Sequence, residues 1–254
     1  MNNFDLLTSA WHARNKLYND LFGNYTSVYP GNYGPPGANQ GSDKQQSTSI
    51  ETGYESGNET GDPGLQDEHL AILTYEPDPL RPYWTYVTAG LSSPWLQNEP
   101  QEVSGFGLEL LIKSPGLAKW PEQILRTIAF YILNHAGTVS PGTRLALNNQ
   151  ITVNTASNIR NLLIWYADEA PDCWYQLPSG GFGIFAAIGI TNDELKFAES
   201  QEQYGTWCMQ EILRQTGSSQ ITDPTRESIL QNKNIDSLIN SVTAFAREFQ
   251  KKRC

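Results

Sequence analysis

Residues 23–64 constrain this 254-residue chain more than any other stretch, because they can add almost nothing to a core. Of these 42 positions, 29 are Gly, Pro, Ser, Thr, Asn or Gln, and Val28 and Ile50 are the only branched aliphatic residues. A segment that buries so little apolar surface cannot offset the entropy of ordering its backbone, so it reads as a flexible insertion. The fold must therefore be built from 1–22 and from 65 onward. The first piece carries Phe4, Leu7, Ala10, Trp11, Leu17, Tyr18 and Leu21 at helical spacing, and Gly23 stops it.

Beyond residue 64 the pattern changes repeatedly between periods. Residues 71–75, 83–88, 108–112, 145–147, 162–167 and 183–190 are rich in β-branched and aromatic side chains and predict strands. Residues 120–135 predict a helix, with Pro121 in its first turn and a stripe of Ile124, Leu125, Ile128 and Ile132. Thr191 and Glu194 have capping-box spacing and open a helix, or a broken pair of helices, running to Gly217. Ile235, Leu238, Ile239, Val242, Phe245 and Phe249 mark a last amphipathic helix. No clean βαβ repeat is present, so the class is α+β: a mixed β-sheet with flanking helices. The expected organisation is one domain: helix 1–22, insertion 23–64, core 65–232 and a C-terminal amphipathic helix 233–254.

Charge and cysteine content narrow the function. Net charge is −10, and the only basic run is Lys251-Lys252-Arg253, so neither a nucleic acid nor an anionic membrane surface is an expected partner. A neutral or basic protein surface suits this field better. The longest apolar run, 182–190, is far short of the roughly 20 residues that a membrane-spanning helix needs. The odd set Cys173, Cys208 and Cys254 lacks metal-type spacing and suggests a reducing compartment. With no leader-like start, the expected location is cytoplasmic.

Chemistry-bearing motifs are few. Gly181-Phe-Gly-Ile-Phe-Ala186 has the spacing of a dinucleotide fingerprint, but a strand-like sequence follows it where a helix is required, so close packing in a strand is the better reading. His12, His69 and His135 are scattered, and no metal or nucleophile motif accompanies them. No cofactor, metal or catalytic residue is expected. Asp168, Glu169 and Asp172 form an acidic turn flanked by Trp165, Tyr166, Trp174 and Tyr175, which reads either as a hairpin turn or as a protein-binding edge. Glu109 is the odd residue. Alternation places Phe106, Leu108, Leu110 and Ile112 on one face and Gly107, Glu109 and Leu111 on the other. A carboxylate there needs a specific donor, a partner or a catalytic use.

Taken together, the segments resemble the Suppressor of fused (Sufu-like) family. Tyr83-Trp-Thr-Tyr-Val-Thr-Ala-Gly-Leu-Ser92 is similar to its aromatic strand and Gly-Leu-Ser turn, and Ser104-Gly-Phe-Gly-Leu-Glu-Leu110 to its most recognisable motif. Trp120-Pro121, Phe185-Ala-Ala-Ile-Gly-Ile-Thr-Asn-Asp-Glu-Leu195 and Ile221-Thr-Asp-Pro-Thr-Arg226 follow in the family's order. The chain departs from the family in its 23–64 insertion and its last helix. It resembles the short bacterial form, without the second lobe of the eukaryotic regulators.

The resemblance implies a non-catalytic domain that binds another protein. The two-lobed relatives clamp a peptide as an added strand, whereas the bacterial members resemble immunity proteins that neutralise a toxin. Trp95 and Gln101 stand at the family's peptide-contact positions, with Trp replacing Tyr and Gln replacing Asp, and Glu102 lies beside them. Trp84 and Tyr86 of the aromatic strand complete the expected partner-binding set. Two other functions remain open: an assembly component that docks through the insertion and the last helix, or an enzyme using Glu99, Glu102 and Glu109.

Overall fold

The computed structural model describes residues 3–29, 70–135, 139–147, 149–152 and 156–251. In chain order they form α1 (Asn3–Phe22), β1 (Ser27–Tyr29), β2 (Ala71–Tyr75), β3 (Trp84–Ala89), β4 (Val103–Ser114), α2 (Trp120–His135) and β5 (Arg144–Ala146). There follow β6 (Ile159–Tyr166), β7 (Tyr175–Leu177), β8 (Gly180–Thr191), α3 (Asn192–Ser200), α4 (Gly205–Gln215) and α5 (Ile235–Lys251).

The apolar run predicted as a strand becomes the centre of the sheet. All twelve residues of β8 are buried, because neighbours lie on both of its edges and helices on both of its faces. The strand order is β1-β2-β3-β4-β8-β6-β5, with β7 pairing the start of β8. β4 and β8 run parallel, while every other pairing is antiparallel. This is the mixed sheet of an α+β fold.

Strand alternation sends β4 side chains into two separate cores. Leu108, Leu110 and Ile112 join Leu125, Ile128, Ala129 and Ile132 of α2 on one face. Leu111 points to the other face, where Ala10, Tyr18 and Phe22 of α1, Ala198 of α3, Met209 and Ile212 of α4, and Val242 and Ala246 of α5 pack. Each such side chain contributes roughly 1.5–3 kcal/mol by leaving water. The capping box at Thr191 is present and starts α3. Arg226 grips both carboxylate oxygens of Glu194 at 2.6 and 2.7 Å and also donates to the Gly189 carbonyl, fastening the segment after α4 to β8.

Three expectations need correction, and the structure adds the packing of the last helix. Ser27–Tyr29 pairs with β2, so the polar stretch supplies an edge strand before its remainder passes outside the described residues. The C-terminal helix is part of the domain: Ile235, Val242 and Ala246 are buried against the α4 side of the core. Phe245, expected on the same buried stripe, instead lies 59% exposed against Trp207, with ring centroids 5.6 Å apart. Tyr86, expected at a binding surface, is fully buried under α2, its hydroxyl accepting from the Ala118 N–H. His69, Cys254 and the side chains of His135 and Phe249 lie outside the described residues.

Candidate functional site

The loop between β3 and β4 carries three of the five expected partner-binding residues, and its shape is set by Glu109 beneath it. One carboxylate oxygen accepts from the Gly90 and Ser92 N–H groups, both at 2.9 Å, and from the Ser92 hydroxyl at 2.7 Å. The other accepts from the Thr88 hydroxyl at 2.6 Å. Arg14 reaches in from α1, 3.5 Å from Glu109 and 2.7 Å from the Ser93 hydroxyl. Both charged side chains are buried, so the donors around Glu109 and the hydroxyl and carboxylate acceptors around Arg14 replace the water that each has lost. A carboxylate with its oxygens occupied in this way holds a turn in place, which is the structural outcome foreseen for this residue.

The Gly-Leu-Ser turn then folds back over the start of β4. The Leu91 carbonyl accepts from the Phe106 N–H, and the Ser92 carbonyl accepts from the Ser104 hydroxyl. Gly105 has φ +56°, and a Cβ there would sit 2.5 Å from the Ser93 carbonyl oxygen. This close approach explains the first glycine of the Ser-Gly-Phe-Gly motif. The Gln97 side chain closes the loop by bridging the Gly105 N–H and the carbonyls of Val103 and Ser179. In turn, the Gln97 carbonyl accepts from Asn3 at the start of α1.

This arrangement changes how the expected site residues can act. Trp95 is half-buried and donates its indole N–H to the Gly90 carbonyl, while Gln101 and Glu102 are exposed. No open strand edge runs beside them, because the Gln101 N–H bonds to Ser179 and the Glu102 carbonyl accepts from Gly181. Trp84 is half-buried on the α2 side of the sheet, apart from this group. Glu99 and Glu102 are on the surface and Glu109 is enclosed, so the three carboxylates proposed for an enzyme do not meet as a catalytic set.

A second charged cluster lies at the other end of β4. Lys113 is 2% exposed, with its ammonium 2.6 Å from Glu169, 3.8 Å from Asp168 and 3.0 Å from the Gln220 side-chain oxygen. Tyr83 also donates to Glu169. Burial pulls the Lys113 ammonium below its ordinary value, and the Glu169 charge opposes the shift. Burial, reinforced by Glu169, pushes the Tyr83 phenol up. The acidic turn thus uses Glu169 to hold β4, while Trp174 packs across Gly181, where a Cβ would strike its indole nitrogen at 1.8 Å. The glycine fingerprint is a place for that ring to pack.

Arg14 and Lys113 are what the sequence reading missed. The signal was available: Arg14 continues the Leu7–Ala10–Tyr18 stripe, and Lys113 follows Glu109 and Leu111 on one face of a strand. A charge in an apolar stripe needs a buried counterpart. Among the described residues no group of three or more His, Cys, Asp or Glu side chains could hold a metal ion, and no helix is long and apolar enough to cross a membrane. Cys173 is exposed and Cys208 buried; burial pushes the Cys208 thiol up to about 11.

No curated protein matches the chain. Among solved structures, the Sufu-Fu complex gives a TM-score of 0.55 at 20% identity, covering 68% of this chain and 79% of that one. Drosophila Suppressor of Fused gives 0.55 at 19% identity, covering 72% of this chain and 46% of its own. A SUFU homolog from Neisseria gonorrhoeae gives 0.46 at 17% identity, covering 63% and 77%. The first two share the fold. The family profile of the Suppressor of fused protein (SUFU) spans residues 66–227, which take in the β3–β4 loop, Glu109 with every cage member except Arg14, the Lys113 cluster and Arg226. That is well over half of the chain, and the chain belongs to the Suppressor of fused protein family.

Proposed function

We propose that the chain is a non-catalytic domain that binds and neutralises a partner protein in the cytoplasm, as an immunity protein does for a toxin. The observation that carries this reading is the β3–β4 loop. Glu109, Arg14 and Gln97 fix its backbone, while Trp95, Gln101 and Glu102 remain wholly or partly exposed. A loop ordered before binding loses little further freedom when it meets a partner, so more of the contact energy appears as affinity. The solved Sufu-Fu complex, a structure of the same fold, holds a protein partner, which supports the same reading.

Affinity purification from native lysate, followed by calorimetry on each co-purifying chain, tests it. A partner bound by the wild type should bind Trp95→Ala at least about tenfold more weakly, with the melting temperature little changed. If that partner is a toxin, co-expression should restore growth. A large melting shift with unchanged affinity would make Trp95 a core residue and remove the loop from the site.

A second reading rests on the α4–α5 side, where α5 lies beyond the family match. There Trp165, Tyr204, Trp207 and Phe245 line an apolar groove of about 450 Å³. An assembly component docked through α5 would use this groove and would purify as a stoichiometric particle.

A further inference from the structure

We propose that Leu96, Val103, Trp174 and Phe4 form one acidic-rimmed apolar patch, and that its occupant is a basic protein segment carrying large apolar side chains. This rests on the protein-binding reading above and names the chemistry of the partner.

Singly exposed apolar residues are ordinary, so the case depends on exposure and proximity together. Leu96 is 84% exposed, Phe4 53%, Trp174 49% and Val103 37%. The side chains of Val103 and Trp174 flank the same spot above Gly107, 2.5 and 3.6 Å from where a Cβ would stand. Leu96 precedes Gln97, whose side chain is bonded to the Val103 carbonyl. Phe4 follows Asn3, whose side chain is bonded to the Gln97 carbonyl. Three elements distant in sequence (the start of α1, the β3–β4 loop and the turn before β7) are therefore pinned side by side. Each presents a large apolar group outward.

The rim selects the occupant. In segments 3–13, 93–107 and 170–182 every Asp, Glu, Lys or Arg is acidic: Asp5, Glu99, Glu102 and Asp172. Glu99, Glu102 and Asp172 are exposed. The neighbouring Arg14 is buried within the Glu109 cage and sends no charge to the surface. A field of one sign around an apolar centre favours a cationic segment whose apolar residues displace water from the patch. It disfavours a second copy of this chain, which would bring the same acids against themselves.

Fluorescence anisotropy on the full chain tests this with three labelled synthetic peptides of equal length. One alternates Lys with Leu and Trp, one replaces Lys by Glu, and one replaces Leu and Trp by Ser. The Lys/Leu/Trp peptide should bind best, and Leu96→Ser with Trp174→Ser should weaken it about tenfold or more. Leu96→Ser alone changes a side chain already in solvent, so its several-fold loss remains readable if Trp174→Ser fails to fold. Glu99→Lys with Glu102→Lys should weaken the same peptide at low salt and admit the Glu peptide. That difference should fade near 1 M salt, where the screening length falls to about 3 Å. Equal affinity for wild type and Leu96→Ser, or a Glu peptide bound as tightly as the Lys one, overturns the proposal. So does a concentration-dependent dimer that Leu96→Ser abolishes. A lysate partner that binds Leu96→Ser normally and is insensitive to salt overturns the patch but leaves the protein-binding reading standing. The absence of any lysate partner removes that reading and the patch together.

Discussion

Glu109 and Lys113 lie four residues apart on the same face of β4, both out of water, and the chain neutralises them by opposite means. Glu109 is surrounded by groups that cannot be removed without removing the turn itself: two backbone N–H groups and the hydroxyls of Thr88 and Ser92, with Arg14 behind them. Lys113 depends on a single close carboxylate, Glu169, whose second oxygen has no hydrogen-bond partner among the described residues. Backbone dipoles solvate the first charge, and a counter-charge balances the second. The first arrangement sets the loop geometry, while the second ties β4 to the turn between β6 and β7 and could be exchanged for a neutral pair.

The largest expected effect tests the first half of that contrast. Glu109→Ala removes the counter-charge of the buried Arg14 and leaves the Gly90 and Ser92 N–H groups without their acceptor, which should cost roughly 5 kcal/mol or more, close to the whole stability of an ordinary domain. Denaturant unfolding measures this. A loss below about 2 kcal/mol would mean that water enters and solvates the cage.

The Lys113 cluster should respond differently to single and paired changes. Lys113→Met alone strands Glu169 and should cost about 3–5 kcal/mol, whereas Lys113→Met with Glu169→Gln should return to within about 1–2 kcal/mol of wild type. A double variant as unstable as the sum of its parts would place Lys113 in the same class as Glu109.

Glu122 on α2 supplies the mildest case. Its one hydroxyl donor is Thr74 at 3.3 Å, and burial raises its carboxyl above the ordinary 4.5. A proton bound more tightly in the folded state adds stability below pH about 4.5, and that stability is lost as pH rises through the elevated value. Glu122→Gln, which keeps the neutral shape, should therefore be slightly more stable than wild type at pH 7 and indistinguishable from it near pH 4. The group is only half-buried, so the gain should stay below about 1 kcal/mol. A loss at pH 7 would show that the bond to Thr74 outweighs desolvation.

Elements that declare themselves through local periodicity were legible in the sequence. The split of β4 into Leu108, Leu110 and Ile112 against Glu109 and Leu111 follows from strand alternation, and the start of α3 follows from Thr191 and Glu194. What stayed hidden depends on the arrival of distant segments. Gln97 reads as an ordinary polar loop residue until Ser179 comes within its reach, and only then is the edge beside Gln101 closed. β1 lies in a polar stretch and is three residues long, exposed at both ends, with too few side chains to carry a period. Exposure of the expected site residues was legible only in part. The exposed Gln101 and Glu102 stand on the loop, whereas Tyr86 has its aromatic bulk inside, because the hydroxyl finds an acceptor role at Ala118 without reaching solvent.

The parallel pairing of β4 with β8 also sets a timetable for the nascent chain. Leu111 pairs with Ala186, about 75 residues later, so the middle of the sheet cannot close until β8 has been made. At roughly 5–20 residues per second, β4 waits about 4–15 s for its partner, and α1, fastened through Arg14 to Ser93, waits longer still for a finished surface. During that interval the apolar faces of β2, β3 and β4 have only α1 and α2 to cover them. A chaperone that recognises extended apolar strands would find its substrate here before the ribosome reaches Thr191, and slowing translation between α2 and β8 should lower the soluble yield.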